Sequence, residues 1–343
     1  MSTLPLNSSG QIPCTSERTD SRIAVVIVNY GSADLTTAAI ESILMRQHGG
    51  RQVEVHVVDN ASPGDDAAVL EARHAKSAWG DRVTLWLEDS NLGFGRGNNV
   101  VLNALGDRND PPDYVFFLNP DAELENEALA ILADRLDASP EAAVAGAAVI
   151  LTTGQPATAA FRFPSARGEF AQATNFGPVT RLFEDDLVAL LPDHPDGQVD
   201  WVVGAAMLIR FRVLCDLNGF DPDFFLYYEE VELMWRIRQQ GYEVLYVPSA
   251  IVRHAEGMST KIKSSQPVRE RRPAYWYDSW RLYYLKTSGR GGAIWAGLCW
   301  MAGAALNVPL AALRRQPREV PRRFFRDFSN LVMKPLLLRR GLR

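Results

Sequence analysis

The stretches "RIAVVIVNY" (residues 22–30) and "ADLTTAAIESILMRQ" (residues 33–47) decide the fold. The first is a continuous apolar run rich in valine and isoleucine, as a strand buried on both faces requires. The second spaces its apolar residues three and four apart, the pattern of a helix with one buried face. The unit then repeats: "VEVHVVDN" precedes "DDAAVLEARHAKSA", "VTLWLED" precedes "GRGNNVVLNAL", and "DYVFFLNPDAEL" precedes "NEALAILADRLDA". This alternation predicts an α/β fold with a mainly parallel central sheet and helices on both sides. "AAVAGAAVIL", "WVVGAAMLIR" and "YEVLYVP" read as further strands, whereas residues 152–198 hold no sustained period and read as irregular.

With 343 residues, 47% of them hydrophobic and 22% charged, the chain can bury one large core and carry an appendage. The net charge of -5 argues against a nucleic-acid binder. Cys14, Cys215 and Cys299 form no CxxC pair, so neither a zinc site nor a disulfide framework is indicated, and a reducing cytoplasmic setting fits. Residues 1–20 are polar, lack the signature of a signal peptide, and read as a flexible leader.

The C-terminal part differs. From Leu310 onward ten arginines and lysines face only Glu319 and Asp327, a balance suited to an anionic membrane surface. Before it, "GGAIWAGLCWMAGAALNVPLAAL" (residues 291–313) is uncharged and moderately apolar, with Trp295 and Trp300 placed as interfacial anchors. It reads as a helix that crosses, dips into or lies on a bilayer, or else as a packing helix of a homo-oligomer. The expected organisation is a leader at 1–20, a catalytic domain at 21–265, and a basic, helical, membrane-associating region at 266–343. On this reading the chain works at the cytoplasmic face of the membrane, and removal of everything from Gly291 onward leaves ligand binding intact.

In an open parallel sheet, ligands gather at the carboxyl ends of the strands. Here those ends supply Asn29 and Tyr30, Asp59 and Asn60, Glu88 to Asn91, and Asn119 to Asp121. Asp121 offers a hard oxygen to Mg2+ or Mn2+, and His254, shortly after a strand, is a candidate second ligand. "NLGFGRGNN" (residues 91–99) is no dinucleotide fingerprint, because Asn98 stands where the third glycine belongs, but it suits close approach of a ligand. In "YYEEVELMW" (residues 227–235) helical spacing places Glu230 at the head of an apolar stripe through Leu233, Met234 and Ile237. Glu229 and Glu232 share another face, where Glu232 and Arg236 read as a solvent-exposed ion pair.

Seven blocks in order, "AVVIVNY", "VHVVDNAS", "NLGFGRGNN", "YVFFLNPDAEL", "WVVGAAMLIR", "GFDPDFFLYYEEVELMWRIRQQGY" and "VPSAIVRHAEGMST", resemble the inverting family 2 glycosyltransferases of GT-A fold. Within that family they are similar to the bacterial rhamnosyltransferase-like branch. The resemblance implies a metal-dependent transfer of a sugar from a nucleotide-sugar donor to a lipid-linked or polymeric glycan acceptor, with dTDP-L-rhamnose the first donor and UDP-sugars the next. It implies nucleotide contacts at Asn29, Tyr30, Asp59, Asn91, Asn98, Asn99 and Asp121, and metal ligands at Asp121 and His254. Sugar or acceptor contacts fall on Trp201, Gly204 and Glu229, and the catalytic base on Glu230. Related chains commonly read "EDVD" where this one reads "EEVE", which adds a methylene of reach at 230 and 232 and leaves a catalytically silent scaffold subunit as the alternative. A sugar nucleotidyltransferase is disfavoured, because "NYGSADL" lacks the glycine-rich basic loop expected after a first strand.

Overall fold

The computed structural model describes residues 21–255, 270–316 and 320–338. The leader, Cys14, the expected boundary at 265 and the last residues of the "VPSAIVRHAEGMST" block lie outside them. Along the chain run β1 (Arg22–Asn29), α1 (Ala33–Leu44), β2 (Gln52–Asp59), α2 (Asp66–Lys76), β3 (Val83–Leu87), α3 (Phe94–Gly106), β4 (Tyr114–Leu118), β5 (Ala122–Leu124), α4 (Ala128–Asp137) and β6 (Ala142–Leu151). Next come β7 (Pro156–Ala157), β8 (Ala160–Phe161), α5 (Ala166–Thr174), α6 (Gly177–Leu182), β9 (Gly197–Val199), β10 (Trp201–Val202), β11 (Ala206–Arg210), α7 (Phe211–Asp216), α8 (Glu229–Gln239) and β12 (Glu243–His254). The chain closes with α9 (Ala274–Leu313), α10 (Phe324–Phe328) and α11 (Lys334–Leu338).

The main sheet has the order β3-β2-β1-β4-β11-β6-β12-β5. Its first four strands are parallel, β11 runs against both neighbours, β6 and β12 are parallel, and β5 reverses at the far edge. The continuous valine and isoleucine runs are the strands buried on both faces, as in β1, where Ile23, Ala24, Val25 and Ile27 are fully inaccessible. One apolar layer packs under α1 and α4, and the other under α3, α7 and α8.

Three readings of the sequence change. "DYVFFLNPDAEL" is cut at Asn119–Pro120–Asp121 into central β4 and edge β5, because proline cannot donate to a ladder. "WVVGAAMLIR" divides into β10, which pairs with β8 in a small second sheet, and β11 in the main one. The irregular region 152–198 contains α5, hidden by its weak amphipathy, and α6, hidden by its length of six residues.

The C-terminal helices pack against the body of the chain. A third apolar cluster joins Phe224 and Val231, on and before α8, to Trp280, Trp300, Phe324 and Phe328. Helix α9 is broken at Gly289 (φ 67°, ψ 177°) into two arms. The second arm lies close on α5: a Cβ added at Gly303 would stand 2.4 Å from the Phe170 carbonyl oxygen, and Asn307 Nδ2 donates to the Thr174 carbonyl at 3.1 Å. The segment from Gly291 is therefore a packing helix within this chain on one face. On its opposite face Trp295, Leu298, Leu306 and Leu313 are exposed, the first at 61%.

Candidate active site

The ends of β1 and β2 meet in one bonded cluster. Asn29 is fully buried, and its Nδ2 donates to Asp59 Oδ1 at 2.8 Å and to Asp66 Oδ1 at 3.2 Å, while its Oδ1 accepts from Ser32 and Thr36, both at 2.9 Å. Ser62 Oγ adds a 2.6 Å bond to Asp59 Oδ1. Asn29 thus fixes Asp59 and does not reach the rim itself, whereas Tyr30 is 40% exposed beside it. Ser62 and Asp66 escaped the sequence reading, since a serine ahead of a helix and an aspartate in its first turn resemble ordinary capping.

The glycine-rich loop is shaped by asparagines. Asn60 Nδ2 donates to Asn91 Oδ1 and to the Gly93 carbonyl, both at 3.1 Å, and Asn91 Oδ1 also accepts from the Gly93 amide. Asn98 donates to the Phe94 carbonyl at 3.0 Å. Asn99 clamps both backbone groups of Phe220, donating at 2.7 Å and accepting at 2.9 Å. Both asparagines, expected at the nucleotide, thus also hold backbone groups in place, since an amide serves either purpose.

Asp121 follows β4 at 7% exposure, and its Oδ1 lies 2.9 Å from Nε2 of His254, the last residue of β12. Asn119 Nδ2 stands 3.2 Å from the same nitrogen. One carboxylate oxygen and one imidazole nitrogen converge, a donor set that fits Mg2+ or Mn2+ held jointly with substrate phosphates. Among the described residues no group of three or more His, Cys, Asp or Glu side chains forms a cage, so phosphate oxygens and water would complete the shell.

The third part is the loop into α8. Tyr227 and Tyr228 are consecutive non-glycine residues in the left-handed region, at φ 71° and 70°. Each costs of the order of 1–3 kcal/mol and needs outside support. Support comes from α9: Tyr227 stacks on Tyr275, Tyr228 packs on Trp276 and Tyr283, and Ser279 Oγ donates to the Leu226 carbonyl at 2.9 Å. On the other side, the Phe94 amide donates to the Phe225 carbonyl at 3.1 Å, and a Cβ at Gly93 (φ 81°) would stand 2.0 Å from that oxygen. The glycine loop and the tyrosine loop are therefore one unit.

Helix α8 buries Leu233, Met234 and Ile237 completely, as its stripe requires. Glu230 is only half-buried, with Oε2 shielded from water and unpartnered among the described residues. Burial pushes its carboxyl above the ordinary value of 4.5, while the first amides of the helix oppose the shift. Glu229 is 3% exposed beside Gly95 and is not among the residues that line the cavity next to Glu230. Burial, and then the Glu230 charge, push the Glu229 carboxyl well up. Glu232 is 2% exposed, and its 2.9 Å pair with Arg236 is partly buried, contrary to the solvent-exposed reading. Arg236 also ties the carbonyls of Leu217 and Gly219, which brings the pair inside.

Gly204 touches Glu230: a Cβ there would meet its Cβ and Cγ at 3.5 Å, an ordinary contact. The next residue, Ala205, accepts the Asn119 amide at 3.0 Å, so Glu230 stands directly behind the Asp121 loop. Its other side opens into a cavity of about 430 Å³ walled by Trp201, Tyr228, Trp276 and Trp300. Trp201 is stacked 4.0 Å over Phe161 and donates from Nε1 to the Arg162 carbonyl. Glu169 and Arg272 complete this wall, and neither stood out in the sequence.

Residues 21–272 match the family described as Glycosyltransferase like family 2. The chain is 26% identical over 249 residues to N-acetylglucosaminyl-diphospho-decaprenol L-rhamnosyltransferase of Mycobacterium tuberculosis, covering 69% of this chain and 77% of that one. It is 24% identical over 234 residues to the rhamnosyltransferase WbbL of Escherichia coli, covering 66% and 81%. Its fold is similar, at a TM-score of 0.52 and 17% identity over 94% of this chain and 88% of the other, to the mannosyltransferase PcManGT of Pyrobaculum calidifontis, solved with GDP-Man and Mn2+. With a nucleotide-sugar fold, strand-end carboxylates and a match over most of its length, the chain belongs to the family 2 glycosyltransferases and is a hexosyltransferase of GT-A type.

Proposed function

We infer that the protein is a metal-dependent inverting glycosyltransferase, with dTDP-L-rhamnose the leading donor and a lipid-linked or polymeric saccharide the acceptor, acting in cell-surface glycan synthesis at the inner face of the membrane. The observation that carries this reading is the position of Glu230 between the Asp121 loop and the aromatic cavity. The rhamnosyl group is supported by the names of the two rhamnosyltransferase relatives, the lipid-linked acceptor by the mycobacterial name alone, and the metal by the Mn2+ in the mannosyltransferase structure.

On this reading Asp59 and the loop it anchors hold the nucleotide. Asp121 and His254 would hold Mg2+ or Mn2+, which when bound offsets charge on the leaving diphosphate. Glu230 takes the proton of the acceptor hydroxyl as that oxygen attacks the anomeric carbon from the side opposite the diphosphate. One carbon–oxygen bond forms, the bond to the diphosphate breaks, and the nucleoside diphosphate leaves with the electron pair. The tryptophan and tyrosine rings give the acceptor sugar a stacking surface and exclude water.

The family match ends at residue 272, and the C-terminal helices, although packed onto the body of the chain, present the transferase to the membrane. Helix Ala274–Leu313 is long and apolar enough to cross a bilayer by length and composition. Its exposed face carries Trp295, Leu298, Leu306 and Leu313 at helical spacing, and Arg315, Arg322, Arg323 and Arg326 lie exposed beyond it. A surface-lying arrangement matches an apolar face flanked by cations. A second copy of the chain covering the same face is the competing arrangement. It would give a dimer in solution and no vesicle binding.

The test is ligand-detected NMR with dTDP-, UDP- and GDP-linked sugars, with and without Mn2+, on wild type and Asp121→Ala. Metal-strengthened binding of one donor, lost in the variant, supports the reading. Absence of binding to every donor by folded protein sinks it and favours a scaffold.

A further inference from the structure

The cavity beside Glu230 contains a cation with no assigned work. Arg272 precedes α9, and its guanidinium carbon lies 3.8 Å above the Trp276 ring and 5.8 Å from that of Trp300. Among the described residues it makes no hydrogen bond and no ion pair, whereas its neighbour Arg271 is tied to Asp327 at 2.6 Å. The buried carboxylate facing the same cavity, Glu169, feels the Arg272 charge but takes its hydrogen bonds elsewhere: its Oε1 accepts from Trp280 Nε1 at 2.8 Å and from the Tyr284 hydroxyl at 3.0 Å. Burial also pushes Glu169 towards its neutral form, which weakens one of the two carboxylate charges, with Glu230, that face an incoming anion.

We propose that Arg272 binds the diphosphate of the glycosyl acceptor, so that the acceptor is recognised by its anion as well as by its sugar. The inference rests on the glycosyl-transfer reading above. Three observations carry it. Arg272 and Glu230 line the same cavity, so an anion at the guanidinium leaves the attached sugar within the space that reaches the base. Asp59, Asn91, Asp121 and His254 do not line that cavity, which therefore faces the reactant other than the nucleotide donor. A guanidinium laid on an indole is held flat and weakly hydrated, with its fork of donors free for two phosphate oxygens. The module carrying Arg272 also carries the exposed apolar stripe of α9, which suits an anion joined to a lipid.

Diphosphate enters such a site from two sources, the donor or the acceptor, and the test separates them. The probes are geranyl diphosphate and geraniol, titrated into full-length protein already saturated with Mn2+ and UDP or dTDP. Nucleotide-sugar binding is measured in parallel. Wild type, R272M and R272K are compared; methionine keeps an apolar stem over Trp276, and lysine keeps the charge without the fork. The expected result is that wild type binds geranyl diphosphate and not geraniol, R272M binds it at least tenfold more weakly, R272K is intermediate, and nucleotide-sugar affinity is unchanged in all three. Equal binding of geranyl diphosphate by R272M and wild type overturns the inference, as does absence of binding by wild type. A parallel loss of nucleotide-sugar affinity in R272M overturns it too, by assigning the cation to the donor. Failure of wild type to bind any nucleotide-sugar is a different result, and sinks the transferase reading itself.

Discussion

Asp121 and His254 are 133 residues apart in the chain, yet Oδ1 and Nε2 stand 2.9 Å from each other. The antiparallel pairing of β5 with β12, which sets Ala122 opposite His254, brings them together. Neither strand alone brings the two groups together. Replacing Asp121 by Ala should therefore abolish the tightening of nucleotide-sugar binding by Mn2+, and His254→Ala should reduce it. The expected loss is about tenfold or more, or ~1.4 kcal/mol. Calorimetric titrations with and without metal would detect it, and equal metal dependence in wild type and Asp121→Ala would remove the assignment.

Glu230→Gln keeps the shape of the side chain and removes its basicity. Turnover should fall by about 10²–10⁴-fold with donor affinity retained. Glu230→Asp shortens the reach by one methylene and should fall between the two. Unimpaired turnover in Glu230→Gln would rule the residue out as base.

The rate should also carry the raised Glu230 carboxyl. Its base form is lost as pH falls, so the acid limb of kcat/KM should lie above the ordinary glutamate value of 4.5. Stability has the opposite slope. Burial raises Glu229 above 4.5, so the folded chain keeps a proton that the unfolded chain has released. This contribution is fully present below 4.5 and is lost as pH rises through the folded value. Glu229→Gln should therefore flatten the fall in Tm between mildly acidic and neutral pH. Parallel Tm curves for the two proteins would exclude a raised Glu229.

Gly93→Ala tests the junction between the glycine and tyrosine loops. Its φ of 81° and the 2.0 Å approach to the Phe225 oxygen leave no place for a methyl group. Destabilisation of roughly 2–4 kcal/mol by denaturant titration is expected, with weakened donor binding. Gly204→Ala, whose Cβ meets Glu230 only at 3.5 Å, should be mild by comparison.

Removal of residues 291–343 should do more than detach the protein from vesicles. Trp300, Phe324 and Phe328 would leave the cluster that backs Phe224 and Val231, so loss of soluble, cooperatively folded protein is expected. A soluble truncated chain with wild-type donor affinity would mean that the cluster is dispensable to the donor site.

Much of this architecture can be read from valine and isoleucine runs, because strands buried on both faces leave a continuous apolar signature. Asp59 and Asp121 stand out for the same reason, as polar residues where such runs stop. The roles of Asn29, Asn98 and Asn99 do not, since an amide that holds a neighbouring carboxylate or carbonyl has the same composition as one that holds a nucleotide. The Glu232–Arg236 spacing is that of a surface pair, and only the carbonyls of Leu217 and Gly219 reveal that it is partly buried. Arg272 sits in "VRERRP", which reads as solvated charge, and Glu169 in a helix too weakly periodic to notice. Both acquire meaning from α9, whose docking onto α5 no local pattern encodes.

The clamp on Tyr227 and Tyr228 orders events during synthesis. Chains fold from the N-terminus as they leave the ribosome, so the sheet can form before α9 exists. The rings of Tyr275, Trp276 and Tyr283, which hold the two tyrosines, emerge only afterwards. A nascent chain can therefore form its sheet before its transfer loop is set, and the loop is held by the helix that also bears the apolar stripe. The enzyme acquires its working loop and the face proposed to meet the membrane in the same late step of translation.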